Sequence, residues 1–216
     1  VSYVDNYKNV EFAFAGGVVS ENTAKNGGGV YINGLRQKKE RKNDIDIIVK
    51  ISANFEGGQI SSNTASENGA GIYLCDTIAT FNGVGEEYLK LYSNSATGKG
   101  GGIFVDSKSQ ITVFMLQVGE ESDSTLANTA GEKGAGIYLS EQGHTIALTL
   151  DSDEEYLSEN IKIYNTLYLE RTVTESGMKS LALININKPY EPGNKQISVS
   201  CDYTATDYGQ KVARYV

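Results

Sequence analysis

Apolar and polar residues alternate with a period of two in many short stretches of the chain. Ile72 and Leu74 flank Tyr73, and Ile103 and Val105 flank Phe104. Ile146, Leu148 and Leu150 alternate with Ala147 and Thr149, and Ile161 and Ile163 flank Lys162. A two-residue period puts one set of side chains on each face of a strand, so the pattern predicts short β-strands. Between them lie clusters of Gly, Asn and Ser, which are turn residues. The spans Gly71–Cys75, Thr77–Phe81 and Tyr88–Tyr92 read as three successive strands.

The strands belong to a repeat. Asn22-Thr-Ala-Lys-Asn-Gly-Gly-Gly-Val-Tyr-Ile returns as Asn63-Thr-Ala-Ser-Glu-Asn-Gly-Ala-Gly-Ile-Tyr-Leu. It returns again as Asn94-Ser-Ala-Thr-Gly-Lys-Gly-Gly-Gly-Ile-Phe-Val and Asn128-Thr-Ala-Gly-Glu-Lys-Gly-Ala-Gly-Ile-Tyr-Leu. Two copies are preceded by a glycine pair, Gly16-Gly17 and Gly57-Gly58. From Asn to Asn the spacings are 41, 31 and 34 residues. Val84-Gly-Glu-Glu recurs 34 residues later from Val118, and Glu86-Glu-Tyr-Leu recurs 68 residues later from Glu154, which reads as the same period. Helical repeats also have periods near 34. The two to four glycines of each unit would cost a helix about 1 kcal/mol each, however, and the apolar period is that of strands. About three strands per 31–34-residue unit, unit after unit, describe an all-β chain in which each repeat is one coil of a single-stranded parallel β-helix. Coils stack at the inter-strand distance of about 4.8 Å, and about six of them fit this length.

Stacking gives the motif residues mechanical roles. Asn22, Asn63, Asn94 and Asn128 fall above one another as a structural ladder at one corner, their carboxamides bonding to each other and to backbone left unpaired by the turn. Ala24, Ala65, Ala96 and Ala130 suit a crowded inner corner, and Val30, Ile72, Ile103 and Ile137 an inward aliphatic column. The 24 glycines among 216 residues, against about 7% in ordinary proteins, are then structural. They serve tight turns and positive φ. Only two prolines occur, as expected where inner strands need every N–H.

These motifs resemble the repeat of bacterial cell-surface β-helix proteins. They are similar to polymorphic outer-membrane-protein repeats, which pair Phe-x-x-Asn with Gly-Gly-Ala-Ile. Here Val19, Ile60, Leu91 or Thr125 stands three residues before the Asn, and the glycine motif reads Gly-[Gly/Ala]-Gly-[Val/Ile]. The resemblance covers about residues 10–140. It implies a right-handed, pectin-lyase-like solenoid at the cell surface or in the extracellular space, with adhesive function and no catalytic residues to carry over.

Residues 1–140 are thus expected to form the repeat coils. A basic insertion at about 34–43 interrupts them, and Arg36, Lys38, Lys39, Arg41 and Lys42 surround a single Glu40. This is either a solvated loop or a finger for anionic glycans or a protein partner. Residues 141–216 lose the Asn–Gly motif while alternation persists, and read as degenerate coils or a β cap of the same domain. The chain starts at Val1 rather than Met and is expected to belong to a longer protein.

Charge and composition narrow the function classes. A net charge of −8 and a pI near 4.8 argue against nucleic acid as a partner. No apolar run approaches the roughly 18 residues of a membrane helix. Tyr31, Tyr73, Phe104 and Tyr138 share one outward position. They are a candidate flat face for sugar rings, or else a self-stacking row that stabilises the sheet. Thr23, Thr64, Ser95 and Thr129 read as a hydroxyl row bonded at a corner. No cofactor is expected. The pairs Glu86-Glu87, Glu120-Glu121 and Glu154-Glu155 leave room for Ca²⁺, although Asp151-Ser-Asp-Glu-Glu lacks the glycine and spacing of an EF-hand loop. His144 is the single histidine, so a Ser-His-Asp triad has no support. Cys75 and Cys201 do not repeat, and geometry decides whether they pair.

The expectation is a non-catalytic segment serving adhesion, binding of a glycan or host partner, or spacing. The alternative is a polysaccharide lyase or glycoside hydrolase of the same fold, with Asp76 and Asp106 as the acids to inspect.

Overall fold

The computed structural model describes residues 8–34, 49–141, 146–151, 160–173, 179–187, 199–201 and 213–215. Among these, every regular element is a strand apart from one 3₁₀ turn, Ser124–Leu126. The first coil runs through β1 (Lys8–Phe14), β2 (Val18–Ser20), β3 (Thr23–Ala24) and β4 (Val30–Asn33). The second repeats the course with β5 (Val49–Phe55), β6 (Gln59–Ser61), β7 (Thr64–Ala65) and β8 (Ile72–Cys75). The third has β9 (Ile78–Phe81), β10 (Lys90–Tyr92), β11 (Ser95–Ala96) and β12 (Ile103–Val105). The fourth has β13 (Gln110–Val113), β14 (Leu116–Val118), β15 (Thr129–Ala130) and β16 (Ile137–Leu139).

Each strand pairs in parallel with its counterpart one coil away. Four all-parallel sheets result, in the orders β1-β5-β9-β13, β2-β6-β10-β14, β3-β7-β11-β15 and β4-β8-β12-β16 over these coils. The chain is a parallel β-helix. Its coil has four strands rather than three. The additional one, third in each coil, is the two-residue Thr-Ala (or Ser-Ala) step, too short to show any alternation.

The coils do not stop at residue 140. The strands β17 (Ile146–Leu150), β18 (Ile161–Ile163) and β19 (Leu167–Leu169) extend the first, second and fourth sheets. An antiparallel hairpin of β20 (Arg171–Val173) and β21 (Lys179–Leu181) follows. Then β22 (Leu183–Ile186), β23 (Val199–Cys201) and β24 (Ala213–Tyr215) extend the first and fourth sheets again.

Register is kept from coil to coil apart from one shift between Ile146 and Leu148, where β17 pairs with β22, so inward residues form columns. Phe14, Phe55, Phe81, Val113, Leu150 and Ile186 align in the first sheet. Val30, Ile72, Ile103, Ile137 and Leu167 align in the fourth. These columns form one continuous core. A one-residue slip would turn a whole column out to solvent, and this fixes the register.

One sequence recurrence proves unrelated to the coil. Val118 pairs with Leu91, whereas Val84 lies ahead of β10 in a tight turn that it closes with Glu87. The two Val-Gly-Glu-Glu strings are therefore not equivalent positions. The 34-residue period is carried by the Asn and Gly motifs.

Candidate functional site

The Asn corner is the most ordered polar feature. The Asn63 N–H and Nδ2 both donate to Asn94 Oδ1, at 3.1 and 3.0 Å. Asn94 does the same to Asn128 Oδ1, at 3.1 and 2.9 Å. The second Nδ2 hydrogen goes back one coil, from Asn63 to Val19 O and from Asn94 to Ile60 O. Every donor and acceptor of these buried carboxamides is thereby used, as burial requires.

The ladder has a fifth rung, Asn165, which accepts from the N–H and Nδ2 of Asn128, both at 2.9 Å. The glycine turn has been deleted around it, so the fifth copy reads only Asn165-Thr-Leu-Tyr-Leu169. The signal was there: Asn-Thr followed by an apolar–Tyr–apolar strand.

A second, shorter relay lies at the glycine turn. Asn68 N–H donates to Asn26 Oδ1 at 2.9 Å, and Lys99 N–H to Asn68 Oδ1 at 2.8 Å. The glycines that follow, Gly27, Gly69, Gly100 and Gly134, all have φ between 64 and 68°. Nothing in the repeat marks Asn26 and Asn68, because the same position is Lys99 and Lys133 in the next two coils.

The aromatic row is real and runs over five rings. Stacking distances are 5.1 Å for Tyr31–Tyr73, 4.8 Å for Tyr73–Phe104, 5.3 Å for Phe104–Tyr138 and 5.4 Å for Tyr138–Tyr168. It is not an open face along its length. Phe104 is 8% exposed and Tyr138 only 1%, while Tyr31 is 50% exposed. Lysines of the glycine turns lie over the far end: Lys99 Nζ is 4.8 Å from the Tyr138 ring centre and Lys133 Nζ 4.6 Å from that of Tyr168. Lys99 is held there by Glu170, at 3.2 Å. Such cation–ring contacts stabilise a partly desolvated ammonium. Of Tyr31, Tyr73, Phe104 and Tyr138, only the first two present ring surface to solvent. Asn33 stands beside them, its Nδ2 3.3 Å from Tyr31 Oη.

Asn33, Cys75, Asp106, Ser140 and Glu170 continue each strand by one position. Cys75 is a buried free thiol. Its burial and the neighbouring Asp106 push its pKa up to about 12, far from the lowered values of reactive cysteines. Tyr73 is likewise pushed up to about 12, chiefly by burial and then by Asp106, so its phenol stays a hydrogen-bond donor. Asp76 sits in the following turn at φ 50° rather than in this row, one position out of step with Asp106. Asp106 is engaged locally, its Oδ1 accepting from Lys108 N–H at 2.8 Å.

The chain matches no family model. No curated protein and no solved structure matches it either.

The remaining candidates are dispersed. Thr23, Thr64, Ser95 and Thr129 are in register and exposed, and Thr129 Oγ1 donates to Ser95 Oγ at 3.0 Å. Glu86, Glu87 and Glu121 are exposed, and Gln117 Nε2 donates to Glu120 Oε2 at 2.7 Å. Glu154-Glu155 and the basic residues Arg36, Lys38, Lys39, Arg41 and Lys42 lie outside the described residues. Among the described residues no three His, Cys, Asp or Glu side chains converge as a metal site. Nor is any helix among them long and apolar enough to cross a membrane.

Proposed function

We propose that this chain is a non-catalytic β-helix segment of a larger bacterial cell-surface or secreted protein, in which the rigid stack presents a small sugar-binding platform. The observation that carries this reading is the open end of the aromatic row. The half-exposed Tyr31 ring stacks on Tyr73, with the Asn33 carboxamide alongside. An aromatic face meets the C–H face of a sugar ring, and an adjacent amide reads its hydroxyls. The repeated polar residues support a non-catalytic role because their hydrogen bonds are consumed within the ladders. Where Tyr31 binds nothing, the same stack serves as a spacer.

The test is a glycan-array screen of the chain beside Tyr31→Ala. The expected result is capture of one glycan class by the chain, reduced at least tenfold by Tyr31→Ala with an unchanged thermal unfolding midpoint. Capture that survives the substitution, or no capture at all, removes the platform. A lyase or hydrolase of the same fold is the competing reading, resting on Asp106 beside the aromatic row. New reducing ends released from a captured glycan would favour it.

A further inference from the structure

Among the described residues the amino-terminal end of the stack is incomplete in four respects. At the Asn corner, Asn63 Oδ1, Asn94 Oδ1, Asn128 Oδ1 and Asn165 Oδ1 each accept two N–H groups from the coil before. Asn22 gives its own N–H and Nδ2 to Asn63 Oδ1, but its Oδ1 accepts nothing among the described residues. In the core, Phe12, Phe14, Val19 and Val30 are only partly buried, whereas their register partners Ala53, Phe55, Ile60 and Ile72 are fully enclosed. In the aromatic row, Tyr31 has a described ring on one side only, that of Tyr73. Among the described residues the seven-residue strand β1 is likewise an edge, pairing only with β5.

The polarity of the ladder says what completes this face. It displays acceptors only, so two copies meeting by these ends would set Asn22 Oδ1 against Asn22 Oδ1. Nor do the described residues of the far end offer a flat coil to a copy stacking head to tail. Among the described residues the far end is stepped, with the second and third sheets ending at β18 and β15 while the first and fourth continue to β24 and β23. What fits is a polypeptide segment coiled like the repeat itself, running parallel, with an Asn at the corner to donate its N–H and Nδ2 to Asn22 Oδ1. Adding a strand to an exposed edge uses the main chain for affinity and the side-chain columns for register. Solenoids need their terminal faces covered.

We propose that the first-coil face is a docking surface for one further Asn-bearing β-coil of this repeat type. A docked coil would cover the free face of Tyr31, so coil and sugar exclude one another there. Hydrogen exchange reads the coil and the glycan array of the unextended chain reads the sugar, so either can fail alone.

The test places a second copy of residues 78–105, a full coil, ahead of Val1, so that residues 1–7 bridge it to β1. Bridges of two and four residues make the same connection at 76–77 and 106–109. Hydrogen exchange is read at residues 18–24 of the original chain. The expected result is exchange at least tenfold slower than in the unextended chain, with a higher unfolding midpoint. Most of the protection at residues 22–24 should be lost when the added copy carries Ala for its ladder Asn. Unchanged exchange in the extended chain would overturn the proposal. So would slow exchange at residues 18–24 in the unextended chain, with sedimentation then separating a self-covered monomer from an associated one.

Discussion

Asn94→Ala is expected to lose about 5 kcal/mol of stability, one of the largest effects available to a single substitution in this chain. The change orphans four partners at once: the N–H and Nδ2 of Asn63, the carbonyl of Ile60 and half of Asn128 Oδ1. Each buried group left without a partner costs roughly 1–3 kcal/mol, and the small cavity admits little compensation. Asn22→Ala is the internal control. Its carboxamide is exposed, water can replace its bonds, and the expected cost is about 1 kcal/mol or less. Asn94→Asp separates donors from acceptors. It keeps the oxygen that accepts from Asn63 but cannot donate to Ile60 O and Asn128 Oδ1, so most of the loss should remain. Urea denaturation of the three variants gives the ranking. Equal losses for Asn22→Ala and Asn94→Ala would mean that the corner carboxamides are not a buried ladder.

Gly71→Ala is expected to cost about 3 kcal/mol, the upper part of the range for overpacking. A Cβ there would lie 2.5 Å from the carbonyl oxygen of Gly102 and 3.2 Å from Asn94 Nδ2. These are backbone and ladder atoms with nowhere to move. The cost is steric rather than conformational, because Gly71 has no positive φ. Gly102 makes the same approach one coil on, with Gly136 O at 2.5 Å. Gly85 supplies the opposite case. Its φ is 64° and nothing lies within 4 Å of a Cβ, so Gly85→Ala should cost only the left-handed penalty of about 1–2 kcal/mol. Gly16 has neither constraint, and Gly16→Ala should be neutral or slightly stabilising. Chemical denaturation of the four variants checks the order Gly71 and Gly102 above Gly85 above Gly16. A Gly71→Ala variant as stable as the natural chain would contradict the stacking of coils on their glycines.

How far the sequence could be read depended on whether a feature was both local and repeated. The Asn corner and the inward Val/Ile column occur in each unit with the same neighbours, so comparing units exposes them. The close approach of Gly71 and Gly102 to carbonyls of the next coil is not legible, because a glycine needed for space looks the same in sequence as one needed for positive φ. Asn165 escaped because its coil has lost the glycine turn, and the motif used to find the ladder went with it. The Thr-Ala strand escaped because two residues cannot show a period. Lys99 and Lys133 act on rings one coil away, on Tyr138 and Tyr168, and no spacing within a unit announces such a contact. The outward aromatic row was legible as a row. Its burial was not, since alternation says which side of a strand a ring occupies but nothing about what lies over it. The Val-Gly-Glu-Glu coincidence misled for the converse reason, as identical strings fell at different points of the turn.

The stacked coils carry the Asn ladder past the last recognisable repeat, to Asn165. The most direct measurement is the through-hydrogen-bond scalar coupling from the Asn128 backbone ¹⁵N to the Asn165 ¹³Cγ, read by NMR on the isotope-labelled chain. A resolved coupling, alongside those from Asn63 to Asn94 and from Asn94 to Asn128, is the predicted result. No coupling to Asn165, with the Asn128 amide hydrogens exchanging at the rate of a solvated amide, would contradict it.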